Sequence, residues 1–423
     1  MPRSVETREL IREEQDRLLA ALLREIDGAN PFWTTKLCQA GLTTATCDRA
    51  VFHARFPFTT KAELVADQRA HPPFGSNLTY DLGRYSRFCQ TSGSTGVPLR
   101  WLDTASSWEW MLGNWVRFLH FVGIGRNDRV FAAFSFGPFL GFWTAFEAAA
   151  RLGCCCLPGG GLSSRARLEL MRDAGVTVLL ATPTYAIRLG ETAQAEGIAV
   201  PTLRRLFVAG EPGGSIPETR AILNRLWPGA VVVDHHGMTE IGPVSWQNVE
   251  HPRFLHILET SYIAEIIDPA TLAPVPAGAI GELVLTNLGR LGSPLLRYRT
   301  GDLVRAATEP PEGVAHLALD GGILGRSDDM VVIRGINVWP AAIESVARRF
   351  GELAEFRCLL ASERGMLELT VESEPQPGAD GDQLAQRLHE ELRAALSLRI
   401  PVRSVSPGTL PRPELKSKRW IRL

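Results

Sequence analysis

The sequence predicts an α/β protein in two parts: a large N-terminal domain of α/β subdomains completed by a β-rich subdomain, then a small α+β C-terminal domain. Three observations predict it. From about residue 108 to residue 227, apolar runs of strand length alternate with segments of helical period, the pattern of a largely parallel sheet. From about residue 262 the pattern turns to short strands separated by proline and glycine. The length, 423 residues, exceeds what one hydrophobic core organises, so a cleft between domains is expected.

In chain order, Leu10, Ile11, Leu18, Leu19, Leu22 and Leu23 recur at helical spacing and predict an amphipathic N-terminal helix. Strands are expected over residues 129–134, 154–157, 176–181 and 206–209, with helices over 108–122, 145–152, 165–174 and 218–227. Ligand loops in such a sheet gather at the strand ends. Residues 263–267, 281–286 and 303–306 read as strands of the β-rich subdomain. A smaller unit follows with a strand over 331–334, a helix over 340–350, a strand over 367–372 and a helix over 381–396, the last two joined by the loop 374–381. The expected division is therefore a large domain over 1–327 and a small one over 328–423.

Composition excludes several classes. Hydrophobic residues at 45% and charged residues at 22% are the balance of a globular chain rather than a disordered one. A formal net charge of -1 leaves no basic field for nucleic acid or an anionic membrane. The first 23 residues are broken by Arg and Glu every few positions, unlike a signal peptide, and no apolar run reaches the length of a membrane span. A cytoplasmic protein is expected. Seven cysteines give no disulfide framework. Cys154, Cys155 and Cys156 alternate faces if on a strand, so they cannot share one metal and read as buried small residues.

The sharpest local signal is Thr91-Ser92-Gly93-Ser94-Thr95-Gly96-Val97-Pro98, a hydroxyl- and glycine-rich loop between two expected strands. Its glycines let backbone N–H groups approach phosphate oxygens. It is not a Walker loop, because no Gly-Lys-Ser/Thr follows, and Gly159-Gly160-Gly161 reads as a tight turn. Further motifs follow in order: Ala209-Gly210-Glu211-Pro212, His236-Gly237-Met238-Thr239-Glu240, Tyr298-Arg299-Thr300-Gly301-Asp302, Gly325-Arg326-Ser327-Asp328-Asp329 and Lys416-Ser417-Lys418-Arg419. With Asn30-Pro31-Phe32-Trp33 and Pro57-Phe58-Thr59-Thr60-Lys61 before them, the chain resembles the adenylate-forming superfamily, and within it the phenylacetate-CoA ligase family, over nearly its whole length.

What the resemblance implies is an AMP-forming acid–thiol ligase that uses ATP, Mg²⁺ and coenzyme A. Thr91, Ser92, Gly93, Ser94, Thr95 and Gly96 would hold the β- and γ-phosphates. Gly210, Glu211 and Pro212 would line the adenine, with His236 where the family usually has a base-packing Tyr and His235 beside it. Thr239 would meet the α-phosphate, and Glu240 would hold the metal. Asp302 would accept from the ribose hydroxyls, with Arg326 alongside. Lys416, three residues before Arg419, would be the catalytic lysine, and Asp328 the hinge.

The acyl pocket of the family falls on residues 131–143, rich in aromatics around Gly137 and Gly141. Phe134, Phe136, Gly137, Phe142, Gly237, Met238 and Pro243 are the expected substrate contacts. The aromatic density favours an aryl acid. No Asp or Glu lies between Asp128 and Glu147 to pair a buried ammonium, which disfavours an α-amino acid. Two departures from the family stand out besides His236. Val97 replaces a frequent phosphate-binding Lys, and residues 246–256 lack the Cys-rich metal site of some relatives, leaving His251 and His256 as expected surface residues. The acceptor stays open between coenzyme A and a carrier-protein thiol or amine, as do a homodimer and a nucleotide-binding homologue with weakened catalysis.

Overall fold

The computed structural model describes residues 7–44, 46–91, 98–211, 213–327, 331–333, 336–363, 366–396, 398–412 and 419–423. At its centre is a five-stranded parallel sheet in the order Cys155–Pro158, Arg129–Ala132, Val178–Ala181, Arg205–Ala209, Val231–His235. Side-chain alternation splits it cleanly between two cores. Val130, Ala132, Val178, Leu180, Phe207 and Val233 face the helices Ala105–Phe121 and Leu140–Arg151. Phe131, Leu179, Ala181, Leu206, Val208 and Val232 face Ser164–Asp173, Pro183–Glu196 and Pro217–Leu226. Both faces are covered, which is why the strands read as continuous apolar runs.

The β-rich subdomain is a four-stranded sheet of Tyr262–Ile267, Ile280–Asn287, Tyr298–Arg305 and Gly325–Arg326, with a three-stranded sheet of Ser245–Gln247, Phe254–Ile257 and Ala318–Asp320 beside it. The C-terminal unit has its own core around Ile343, Phe356, Cys358, Val371 and Leu388. Its sheet runs Val402–Ser404, Met366–Pro375, Leu353–Glu363, Trp420–Arg422, packed by the helices Pro340–Ala347 and Gly381–Leu396. Among the described residues no helix is long and apolar enough to cross a membrane.

Five sequence readings need correction. Pro183–Glu196, given no element above, is a helix: Pro183 occupies its first turn, where a missing N–H costs nothing, and Thr182 caps it by accepting from Tyr185 N. Leu353–Glu363 is the longest strand of the C-terminal unit, again unanticipated. Tyr298–Arg305 starts five residues earlier than expected, so the strand includes Asp302. His256 is fully buried, its ring stacked on Trp246 with centroids 4.7 Å apart. In the cysteine run, Cys154 is buried and Cys155 is exposed.

Candidate active site

The strands Arg129–Ala132 and Val178–Ala181 are neighbours whose connections leave to opposite sides, so the sheet's switch point lies between them. The aromatic stretch emerges there. Phe134 stacks on Phe142 at 4.1 Å and 16°, and meets Phe136 edge-on at 5.5 Å. Phe136 also packs on Phe146 and on Trp143, whose Nε1 donates to Gly137 O at 2.9 Å. A side chain at Gly137 would run into the Phe139 ring. The helix Leu140–Arg151, which carries Phe142, packs against the short pair Gly237–Met238 and Gly242–Pro243.

The hairpin Tyr85–Gln90 and Arg100–Thr104 carries the hydroxyl-rich loop. Thr91 closes its base, donating its N–H to Leu99 O at 3.0 Å and accepting from Leu99 N through Oγ1 at 3.0 Å. Gln90 N donates to Pro138 O at 2.7 Å, so hairpin and aromatic loop are tied together. Ser92, Gly93, Ser94, Thr95, Gly96 and Val97 lie outside the described residues, as do Pro212, Asp328, Lys416 and Lys418.

Gly210, with φ +94°, turns the chain out of the sheet in a conformation that favours glycine. Glu211 follows and accepts from Thr184 N at 2.8 Å, which fixes it to the start of the helix Pro183–Glu196. The strand Val231–His235 ends in the first of two adjacent histidines. His235 points into the core, its ring 4.2 Å from Trp115 and its Nδ1–H donating to Ser245 O at 2.6 Å. Burial drives its pKa down to about 3, so it is a neutral packing group behind the site. His236 turns the other way: its Nε2 donates to Asp302 Oδ2 at 2.8 Å.

Asp302 is held on both oxygens. Arg326, its register partner on the facing strand, donates to Oδ1 at 3.1 Å, and Asp302 N donates to Thr300 Oγ1. Burial alone raises the Asp302 pKa, but the His236 hydrogen bond and the charges of His236 and Arg326 outweigh it and hold the acid below its ordinary value. It is a committed carboxylate. Glu240 is also buried, with Lys61 Nζ 3.6 Å from Oε1. Lys61 is presented by local structure: Thr60 and Glu63 form a capping box that starts the helix Lys61–Ala70, and Thr59 is stitched to Arg297 and Arg299 by backbone bonds of 2.9 and 2.8 Å.

Sequence reasoning missed the residue that joins these parts. Arg290 is completely buried, donates to both oxygens of Asp103 at 2.6 Å, and donates through Nη1 to the carbonyls of Thr239 and Glu240 at 2.7 and 3.0 Å. Its fork therefore clamps the Thr239-Glu240 turn to the hairpin that bears the hydroxyl-rich loop.

The C-terminal unit docks beside Glu211. Arg412 O accepts from Arg188 Nη1 at 3.2 Å, Arg349 pairs with Glu218 at 3.6 Å, and Arg419 is buried against Glu344 and Glu355 within the field of Glu211.

The comparisons with known proteins agree with this geometry. Residues 86–289 match the AMP-binding enzyme family, and residues 335–422 match the AMP-binding enzyme C-terminal domain. Phenylacetate-coenzyme A ligase of Thermus thermophilus is 30% identical over 431 residues, which is 96% of this chain and 95% of the relative. The chain belongs to the phenylacetate-CoA ligase family of AMP-binding enzymes. A solved 2-hydroxyisobutyryl-CoA ligase in its postadenylation state superposes with a TM-score of 0.89 at 26% identity, covering 98% of this chain and 89% of the other. The same enzyme in its thioesterification state gives only 0.72, at 27% identity and the same coverage. By this overall measure the chain is more similar to the postadenylation form than to the thioesterification form.

Proposed function

We propose that the chain activates an aryl or arylacetic acid with ATP, forming an acyl-adenylate and pyrophosphate, and then transfers the acyl group to coenzyme A, releasing AMP. A carboxylate is a poor electrophile until its oxygen becomes part of a good leaving group. The acid's oxygen attacks the α-phosphorus in line, and the thiol later displaces AMP at the carbonyl carbon. Phosphoryl transfer of this kind rests on positioning and charge.

The residues take the following roles in this reading. Asp302, already a carboxylate, accepts from the ribose, while Glu211 and His236 flank the adenine. Thr239 meets the α-phosphate, and Lys416 offsets the charge that builds there. Mg²⁺ prefers oxygen ligands and is usually held by one or two carboxylates plus substrate phosphates. The buried Glu240 fits that mode, and the metal would supply charge neutralisation at the phosphates. The small domain turns about Asp328 between the half-reactions. That turn breaks the contacts Arg349–Glu218 and Arg188–Arg412. ATP and coenzyme A are cytoplasmic metabolites, which supports a cytoplasmic location.

One observation carries the substrate class: the packed rings of Phe134, Phe136 and Phe142 at the switch point, on a stretch with no acid between Asp128 and Glu147. An α-ammonium placed there lacks a partner, and an aromatic ring finds stacking faces. Incubation with ATP, coenzyme A and single acids, followed by mass spectrometry, tests it. Aryl acids should yield the acyl-CoA with AMP, and their failure to form any thioester would refute the proposal.

A further inference from the structure

Lysine is scarce in this chain. Of its 45 lysines and arginines only four are lysines, Lys36, Lys61, Lys416 and Lys418. The last two belong to the terminal motif, and the first two serve one turn. Lys36, at 8% exposure, donates to Phe58 O, Thr59 Oγ1 and Glu63 Oε1 at 2.9, 3.0 and 3.0 Å, which braces the start of the helix Lys61–Ala70 from behind. Near the other end of that helix, Gln68 donates to Arg100 O at 2.6 Å and accepts from Arg100 N at 3.0 Å. Arg100 opens the strand that follows the hydroxyl-rich loop. Lys61 is thus held at a fixed place, 40% exposed, with Nζ 3.6 Å from Oε1 of the buried Glu240. That spacing is too long for a hydrogen bond. The ammonium is placed by charge, and its donors have no hydrogen-bond partner among the described residues.

We propose that Lys61 is a catalytic residue of adenylation: its ammonium binds the two phosphates that leave as pyrophosphate. It supplies, from beside Glu240, the positive charge that Val97 leaves out of the hydroxyl-rich loop. In that step the acid's oxygen bonds to the α-phosphorus while the bond from that phosphorus to the bridging oxygen breaks, its electron pair leaving on pyrophosphate. Lys61 transfers no proton and offsets the charge that grows on the leaving group. An ammonium suits this task, being a compact charge with three donors on a flexible stem. The pairing with Glu240 keeps it aimed at the site before substrate arrives.

This inference rests on the reading of the site as one for ATP, so the test separates the two. Binding of pyrophosphate and of AMP, which lacks the two phosphates in question, is measured by calorimetry to the full chain in EDTA. Removing Lys61 alone also uncovers the charge of Glu240, so the main comparison is between wild type and K61M/E240Q, which carry the same net charge. A difference between them reads contact rather than field. The double variant should bind pyrophosphate about tenfold more weakly, the worth of a bond to a charged group, and AMP as wild type does. K61M, with Glu240 left unpaired, should hold pyrophosphate more weakly still. With Mg²⁺ restored, K61M should form the adenylate roughly two orders of magnitude more slowly, while thioester formation from preformed acyl-adenylate keeps its rate. Pyrophosphate that wild type does not hold, or holds no better than K61M/E240Q, overturns the role of Lys61, as does a loss that extends equally to AMP. Wild type that binds neither ATP nor AMP with Mg²⁺ present overturns the reading of the site itself.

Discussion

Arg290 and Asp103 form an ion pair with 0% exposure on either side chain, two parallel bonds of 2.6 Å linking residues 187 apart in sequence. The pair joins the hairpin of the hydroxyl-rich loop to the turn carrying Thr239 and Glu240. Removing one member strands a buried charge, a loss of about 3–5 kcal/mol. R290A should therefore shift the urea midpoint strongly downward. A double variant with Met at 290 and Leu at 103 should recover much of the stability but not the adenylation rate, because the bonds to the Thr239 and Glu240 carbonyls stay lost. An unshifted midpoint in R290A would contradict the assignment.

Asp302→Ala should weaken ATP binding by an order of magnitude or more, since a buried, hydrogen-bonded acceptor for ribose donors is removed and His236 and Arg326 lose their partner. Calorimetry on the folded variant reads this directly. Unchanged affinity would mean that the strand Tyr298–Arg305 does not face the nucleotide.

Lys416→Ala should lower adenylate formation by roughly two orders of magnitude, the usual consequence of losing a charge contact made only in the transition state. Thioester formation from preformed acyl-adenylate should survive, and Lys418→Ala should be mild in both steps. Arg419, three residues on, is buried against Glu344 and Glu355 and anchors the terminal strand rather than sharing the chemistry. Half-reaction kinetics on the two lysine variants distinguish these outcomes, and a normal adenylation rate without Lys416 excludes it.

His256 gives a pH prediction. Burial, and after it the charges of His316 and His251, press its pKa down to about 4. The unfolded chain binds a proton near pH 6.5 that the folded chain refuses until about 4, so stability is full above 6.5 and falls as pH drops through that window. The loss is on the order of 3 kcal/mol. H256F keeps a ring on Trp246 and removes the titration. The gap between denaturant midpoints at pH 7 and pH 4.5 should therefore narrow in the variant, the buried His235 still contributing its own share, and an equal acid loss in wild type and H256F would refute the mechanism.

Much of this was legible in the sequence because burial on two faces writes itself as apolar runs and helical periods. The parallel sheet and the helix Gly381–Leu396 are of this kind. The strand Leu353–Glu363 was not, since Glu355 and Arg357 interrupt its apolar residues and are neutralised only across the fold, by Arg419 and Glu372. His256 looked like a surface residue until the register placed it opposite Trp246. In the site, Asp302 and Arg326 were readable as local motifs. The Arg290–Asp103 clamp was not, because a lone Arg in a glycine-rich loop carries no sign of a partner so distant in sequence.

The central claim is that carboxylate activation occurs in a pocket shaped for a ring. The most direct measurement is acid-dependent pyrophosphate release with ATP, run across aryl, arylacetic, aliphatic and α-amino acids of similar size. The account predicts release with aryl or arylacetic acids at least about tenfold faster than with the others, the discrimination that pocket contacts supply. Equal rates with an α-amino acid, or release that needs no acid, would contradict it.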